Sequence, residues 1–99
     1  MLNLNGMLSI VMPAYNEEKL IYHSIMETLK IVEKFVPELE IIAVNDGSKD
    51  NTKAEIERAM KQDSRVRMVS SEKNRGKGNA IIAGVSQVEG KYVAFVDAD

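Results

Sequence analysis

The chain has 99 residues, with 13 Lys and Arg against 15 Asp and Glu, so its net charge of −2 gives no general attraction to nucleic acid or an anionic membrane. A hydrophobic fraction of 44% and a charged fraction of 28% are those of one ordinary globular domain. Cysteine is absent, which excludes disulfides, thiolate catalysis and Cys-based zinc sites and fits a reducing, cytoplasmic setting.

The opening MLNLNG, residues 1–6, reads as a leader outside the fold; it lacks a signal-peptide pattern, and no later apolar run approaches the roughly 18 residues of a membrane helix. Leu8–Met12 is a β-branched apolar run stopped by Pro13, a buried strand. From about Glu17 to Val36, Ile21, Ile25, Leu29, Val32 and Val36 recur on one helical face. Asn16 suits the N-cap, Glu17 and Glu18 suit the positive end of the helix dipole, and Pro37 ends the segment. The only histidine, His23, falls mid-helix and reads as structural or exposed, and the Met residues read as core filling.

Leu39–Val44 is a second strand, followed by the turn formers NDGSKDNT. Thr52 with Glu55 has the spacing of a capping box for a helix reaching about Gln62. Val66–Ser70 is a third strand, with Arg65 and Arg67 on its opposite face. The basic loop SEKNRGKG leads into NAIIAGVSQV, where Ile81, Val85 and Val88 keep helical spacing and Gly90 closes the segment. Lys91–Val96 is a fourth strand, running into Asp97, Ala98 and Asp99.

This alternation predicts βαβ units: a Rossmann-like parallel sheet with helices on both faces. Ligands of such sheets bind outside the carboxyl ends of the strands, near the point where strand order reverses. The four strand ends here carry AYNE, NDGS, SEKNRGKG and DAD, every one polar. That convergence marks the candidate site.

Asp97 and Asp99, two apart on an extended segment, face the same way and can share one hard divalent ion, Mg²⁺ or Mn²⁺. The bland alternative is a solvated turn. Asp46 reads either as an Asx-turn residue or as a carboxylate accepting from a base or ribose. Asn16 and Glu17 combine a helix-start role with a position facing the crevice. Lys77, in NRGKGN, satisfies neither a Walker A motif nor a dinucleotide fingerprint, because Ser71, Gly78 and Ile81 stand where those motifs need other residues. It reads as a solvated cation or, with Arg75, as a partner for a diphosphate.

SIVMPAYNEE, VNDGSKDNT, NRGKGNAIIAG and GKYVAFVDAD together resemble, in order and approximate spacing, glycosyltransferase family 2, and within it the dolichol-phosphate mannosyl and glucosyl transferases. The resemblance runs from Leu8 to Asp99. It implies the N-terminal half of a GT-A fold over residues 7–99, a UDP- or GDP-sugar as donor, a divalent metal, and inversion at the anomeric carbon. A polyprenyl (dolichyl) phosphate is the implied acceptor. By position, Pro13, Tyr15, Asn16 and Glu17 would line the nucleoside pocket and Asp46 would hold the base. Lys77 would face the diphosphate, Asp97 and Ala98 would approach ribose and metal, and Asp97 and Asp99 would ligate the metal. Asn45 departs from the acid usual at its position.

Such enzymes continue past this motif, so the chain is expected to be an incomplete donor-binding part, inactive alone, with its catalytic base beyond Asp99. The longer protein is expected in the cytoplasm or at the cytoplasmic face of a membrane. A fourth strand lying beside the first would leave an apolar edge, and a homo-oligomer through that edge is expected. Two other readings stand beside this one: a haloacid-dehalogenase-like phosphotransferase, which also places Asp-x-Asp after a strand, and a non-catalytic, self-associating nucleotide-binding module.

Overall fold

The computed structural model describes residues 5–98. Its elements are β1 (Leu8–Ala14), α1 (Ile21–Val32), β2 (Leu39–Asp46), α2 (Thr52–Gln62), β3 (Val66–Ser71), α3 (Lys77–Val85) and β4 (Tyr92–Phe95). The strands form one parallel sheet in the order β3-β2-β1-β4. Strand order therefore reverses between β1 and β4, and the ends of those two strands flank the switch point.

Alternation along the strands sorts the core into two layers. Ile10, Met12, Ala14, Ile41, Ala43 and Val66 face one way and bury Ile21, Ile25 and Leu29 of α1 with Ile56 and Ala59 of α2. Val11, Ile42 and Val44 face the other way, against Ala80 of α3. Helices thus cover both faces, as the βαβ pattern predicts. The α3 layer is thin because the helix meets the sheet through small residues: a Cβ on Gly84 would lie 2.4 Å from Val11 Cγ1. The periodicity of Ile81, Val85 and Val88 misjudges this face. Ala80 and Gly84 are the buried positions and Val85 is exposed; the helix ends at Val85, and Val88, beyond the turn at Ser86 and Gln87, packs against the same layer.

The first helix also differs from its expected span. Asn16 has φ 52° and cannot cap, and residues 18–20 form a turn in which Ile21 N–H donates to the Glu17 carbonyl at 2.9 Å. The capping position falls on Leu20, with no acid in the first helical turn. At the far end a turn over Glu33–Phe35 follows the helix, and Val36 is still buried. The Thr52–Glu55 capping box is likewise not formed: Asn51 holds the capping position, Thr52 bonds elsewhere, and Glu55 pairs with Arg58 at 2.8 Å. Arg58 also lies 3.4 Å from the centroid of the Tyr22 ring, joining α2 to α1. His23 is exposed and meets Glu27 at 2.6 Å; Met12 is fully buried, whereas Met60 is exposed.

At the amino ends of the strands the sheet carries a buried polar cluster. Ser9 Oγ donates to Glu40 Oε2 at 2.6 Å, Glu89 N–H donates to the same oxygen at 2.8 Å, and Arg67 Nε donates to Glu40 Oε1 at 2.9 Å. Gly90 N–H donates to Ser9 Oγ at 2.8 Å, so the loop before β4 is tied to β1 and β2. Burial pushes the Glu40 carboxyl up, but these hydrogen bonds and the Arg67 charge outweigh it and hold the group below its ordinary value. Arg67 thus lies on the face expected of it, while Arg65 precedes the strand and pairs with Asp63 and Glu33.

Candidate functional site

At the carboxyl ends of the strands lies a cleft of about 280 Å³. Pro13, Tyr15 and Glu17 enter from β1, Asp46 from β2, Lys77 from the start of α3, and Asp97 and Ala98 from beyond β4. Most of the residues singled out from sequence therefore converge; Arg75 instead lines a neighbouring depression with Ser71 and Asn79. Asn16 turns away and lines a neighbouring surface with Glu18, Lys19 and Asp50. Asp99 lies outside the described residues, as do residues 1–4 of the leader.

Each wall has its own support. Tyr15–Glu18 is stitched to the loop after β2 by four hydrogen bonds. Asn16 N–H donates to Ser48 Oγ at 3.0 Å and Glu17 N–H to Thr52 Oγ1 at 2.8 Å. Glu18 N–H donates to Asp50 Oδ2 at 3.2 Å, and Lys49 N–H to Asn16 Oδ1 at 2.9 Å. These backbone donors are consumed inside the protein. Thr52 is fully buried, and its hydroxyl donates in turn to Asp50 Oδ1 at 2.5 Å. Burial raises the Asp50 carboxyl, but bonds from the Thr52 hydroxyl and N–H and from Glu18 N–H bring it below the ordinary aspartate value. Asp50, Ser48 and Thr52 escape a motif search because their partners are some thirty residues away in sequence.

The other wall is the loop into α3. Asp46 is buried, and its two carboxylate oxygens accept from Arg75 N–H at 2.9 Å and Gly76 N–H at 3.0 Å. The turn after β2 is closed by the neighbour of Asp46 and not by Asp46 itself: Asn45 Oδ1 accepts from Ser48 N–H, three residues on, at 3.2 Å, and Asn45 Nδ2 donates to Ser70 Oγ at 3.0 Å. An amide can do both where a carboxylate can only accept, which gives a reason for Asn at that position. A carboxylate has about four acceptor sites, so Asp46 keeps capacity for a ligand donor. Asn74 and Gly76, which the sequence did not single out, also line the cleft.

Beyond β4, Val96 N–H donates to the Val11 carbonyl at 3.1 Å, extending the sheet pairing past the strand. Ala98 is buried in the α1 layer, and its carbonyl accepts from the Ser24 hydroxyl of α1. Alternation then turns Asp97 out toward the cleft, where its Oδ1 lies 2.5 Å from Lys77 Nζ. Among the described residues no three His, Cys, Asp or Glu side chains converge on one point. Hard oxygen ligands with a carboxylate already accepting a cation fit a Mg²⁺ or Mn²⁺ ion held jointly by protein and ligand phosphates, not by an all-protein cage.

Comparisons with known proteins identify the fold and the family. The profile of Glycosyl transferase family 2 matches residues 9–99. A dolichyl-phosphate beta-glucosyltransferase of Trichomonas vaginalis is 40% identical over 96 residues, which cover 92% of this chain and 28% of that protein. The structure of TarS from S. aureus in complex with UDP superposes with a TM-score of 0.79 at 30% identity, covering 93% of this chain and 27% of that one. Glucosyl-3-phosphoglycerate synthase of Mycobacterium tuberculosis, in complex with Mn²⁺, UDP and glucosyl-3-phosphoglycerate, gives 0.74 at 27% identity, covering 96% and 34%. The chain thus spans about 28% of the length of the first relative it matches. These structural neighbours are GT-A glycosyltransferases, and neither the sheet nor the comparisons support the phosphotransferase alternative. The chain belongs to glycosyl transferase family 2.

Proposed function

We propose that the cleft binds a UDP- or GDP-sugar together with Mg²⁺ or Mn²⁺, as the donor side of an inverting glycosyl transfer to a polyprenyl (dolichyl) phosphate. The observation that carries this reading is the meeting of Pro13, Tyr15, Glu17, Asp46, Lys77 and Asp97 in one cleft at the switch point. Pro13, Tyr15 and Glu17 form the nucleoside wall, and Asp46 accepts from the base with its remaining lone pairs. Asp97, and by position Asp99, ligate the metal, with Ala98 setting the spacing between them. Lys77 faces the diphosphate. When bound, the metal neutralises charge building on the leaving nucleoside diphosphate.

The family and the UDP and Mn²⁺ complexes of the structural neighbours support this donor class, and the dolichyl-phosphate relative supports the acceptor. Residues 7–99 serve as the nucleotide-sugar-binding part of a domain whose acceptor side and base lie elsewhere in a protein of the relatives' length. Among the described residues no helix is long and apolar enough to cross a membrane. A polyprenyl-phosphate acceptor would place the working enzyme at the cytoplasmic face of one.

The test is calorimetric titration of the 99-residue chain with UDP-glucose and GDP-mannose, with Mn²⁺ and with EDTA. One donor should bind at least tenfold more tightly with metal, and Asp97→Asn should remove most of that gain. Equal affinity in EDTA, or no binding of either donor, would overturn the reading.

A further inference from the structure

We propose that Ser24 of α1 is a positioning residue for the metal site: its hydroxyl fixes the peptide group that follows Ala98, and so sets how the carboxylates of Asp97 and, by position, Asp99 reach one ion. The inference rests on the reading of those two residues as metal ligands and adds a residue that does not itself line the cleft.

Sheet pairing brings the chain to the cleft but does not hold it there. β4 pairs with β1 from Tyr92 to Phe95, and one further bond, from Val96 N–H to the Val11 carbonyl, continues the ladder. Past that point, among the described residues, Met12–Ala14 of β1 pair with β2 alone. The segment from Asp97 onward therefore needs another anchor. The Ser24 hydroxyl supplies it by donating to the Ala98 carbonyl, 74 positions away in sequence. Ala98 is 4% exposed within the α1 layer, where a carbonyl without a donor would be costly.

Serine disfavours a helix interior because its hydroxyl competes for nearby backbone groups. Here the hydroxyl bypasses the Leu20 carbonyl, which accepts Ser24 N–H at 2.9 Å, and reaches Ala98 instead. A peptide group is planar, so a bonded carbonyl fixes the orientation of the whole unit joining Ala98 to the next residue. With Ala98 turned into the core, Asp97 is turned toward the cleft. Two carboxylates joined through one peptide plane keep their separation only while that plane cannot rotate. Mg²⁺ in particular demands near-ideal coordination geometry. Releasing the plane should weaken the metal more than the nucleotide, because the remaining cleft walls come from β1, β2 and the start of α3.

The experiment titrates the 99-residue chain with Mn²⁺, alone and with UDP or GDP, followed by electron paramagnetic resonance. Calorimetry then measures nucleotide affinity in Mn²⁺ and in EDTA. Ser24→Ala should bind Mn²⁺ about tenfold more weakly, as expected when a group that orients metal ligands is lost. Its Mn²⁺ resonance should broaden, and its nucleotide affinity in EDTA should match the wild type. Ser24→Thr keeps the hydroxyl and should restore both affinity and line shape. Ser24→Cys, a weak donor, should fall between them and carries the test should Ser24→Ala not fold. A role in stability alone would lower the unfolding midpoint of Ser24→Ala while the folded variant kept wild-type Mn²⁺ affinity and line shape. That outcome, or an equal loss in Ser24→Thr, would overturn the proposal and leave the donor site standing. Failure of the wild-type chain to bind either nucleotide more tightly with Mn²⁺ would instead overturn the donor reading, and this inference with it.

Discussion

Asp46 and Gly47 show how closely the site depends on single residues. Gly47 has φ +66°, and a Cβ there would lie 2.2 Å from the Asn74 backbone nitrogen, in the loop that Asp46 holds. The left-handed conformation alone costs a non-glycine residue about 1–2 kcal/mol. Gly47→Ala adds a backbone clash that no side-chain rotation relieves, so the loss should exceed about 2 kcal/mol in urea unfolding. Nucleotide binding should fall as well, because the displaced loop carries the root of Lys77. Glu40 gives a second expectation at this scale. Its folded pKa is held below the ordinary 4.5, so its contribution is present above that value and is lost as the pH falls through the folded one. Stability should therefore drop on acidification below about pH 4.5. Glu40→Gln should be less stable at neutral pH and should show a flatter acid limb; an identical limb in thermal melts between pH 3 and 7 would count against the cluster.

Between elements, the loop after β2 acts as a brace for the loop after β1. Thr52 carries the link, since its buried hydroxyl accepts from Glu17 and donates to Asp50. Thr52→Val preserves shape but strands the Glu17 N–H, which should cost about 1–3 kcal/mol. Donor affinity should fall more than the stability loss alone explains, because the Tyr15–Glu17 wall is released; calorimetry on the folded variant measures this. The outermost strand carries the other expectation at this scale. Among the described residues β4 pairs with β1 on one side only, and Tyr92, Val93 and Phe95 are exposed along it. Unpaired strand edges recruit further chains. We propose that the 99-residue chain forms a homo-oligomer through this edge, and that Val93→Lys disperses it. Sedimentation of the wild-type chain as a monomer at high micromolar concentration would contradict this.

For the molecule as a whole, the order of elements and the position of the site were legible from sequence, while the means of holding the site were not. Strand and helix periods, with polar residues at every strand end, gave the parallel sheet, the helices on both faces and the crevice, because patterning is a local property that the sheet inherits directly. Tertiary structure alone decided the capping and bracing. Asn16 and Thr52 both read as local helix caps, yet each bonds to a loop some thirty residues distant, since a side-chain acceptor takes whichever backbone donor the fold brings nearest. Closing the turn after β2 fell to Asn45 and not to Asp46 for the same kind of reason: parity along β2 points Asp46 at the α3 loop and leaves Asn45 to accept from Ser48 N–H. The small residues of α3 misled the periodicity because close packing against the sheet selects for the absence of a side chain, which a count of apolar residues cannot register. The sequence by itself thus determined which chemistry meets at the strand ends. Only the tertiary structure decided which of those groups face the cleft and which hold the others in place, because that choice depends on contacts between segments that no local pattern encodes.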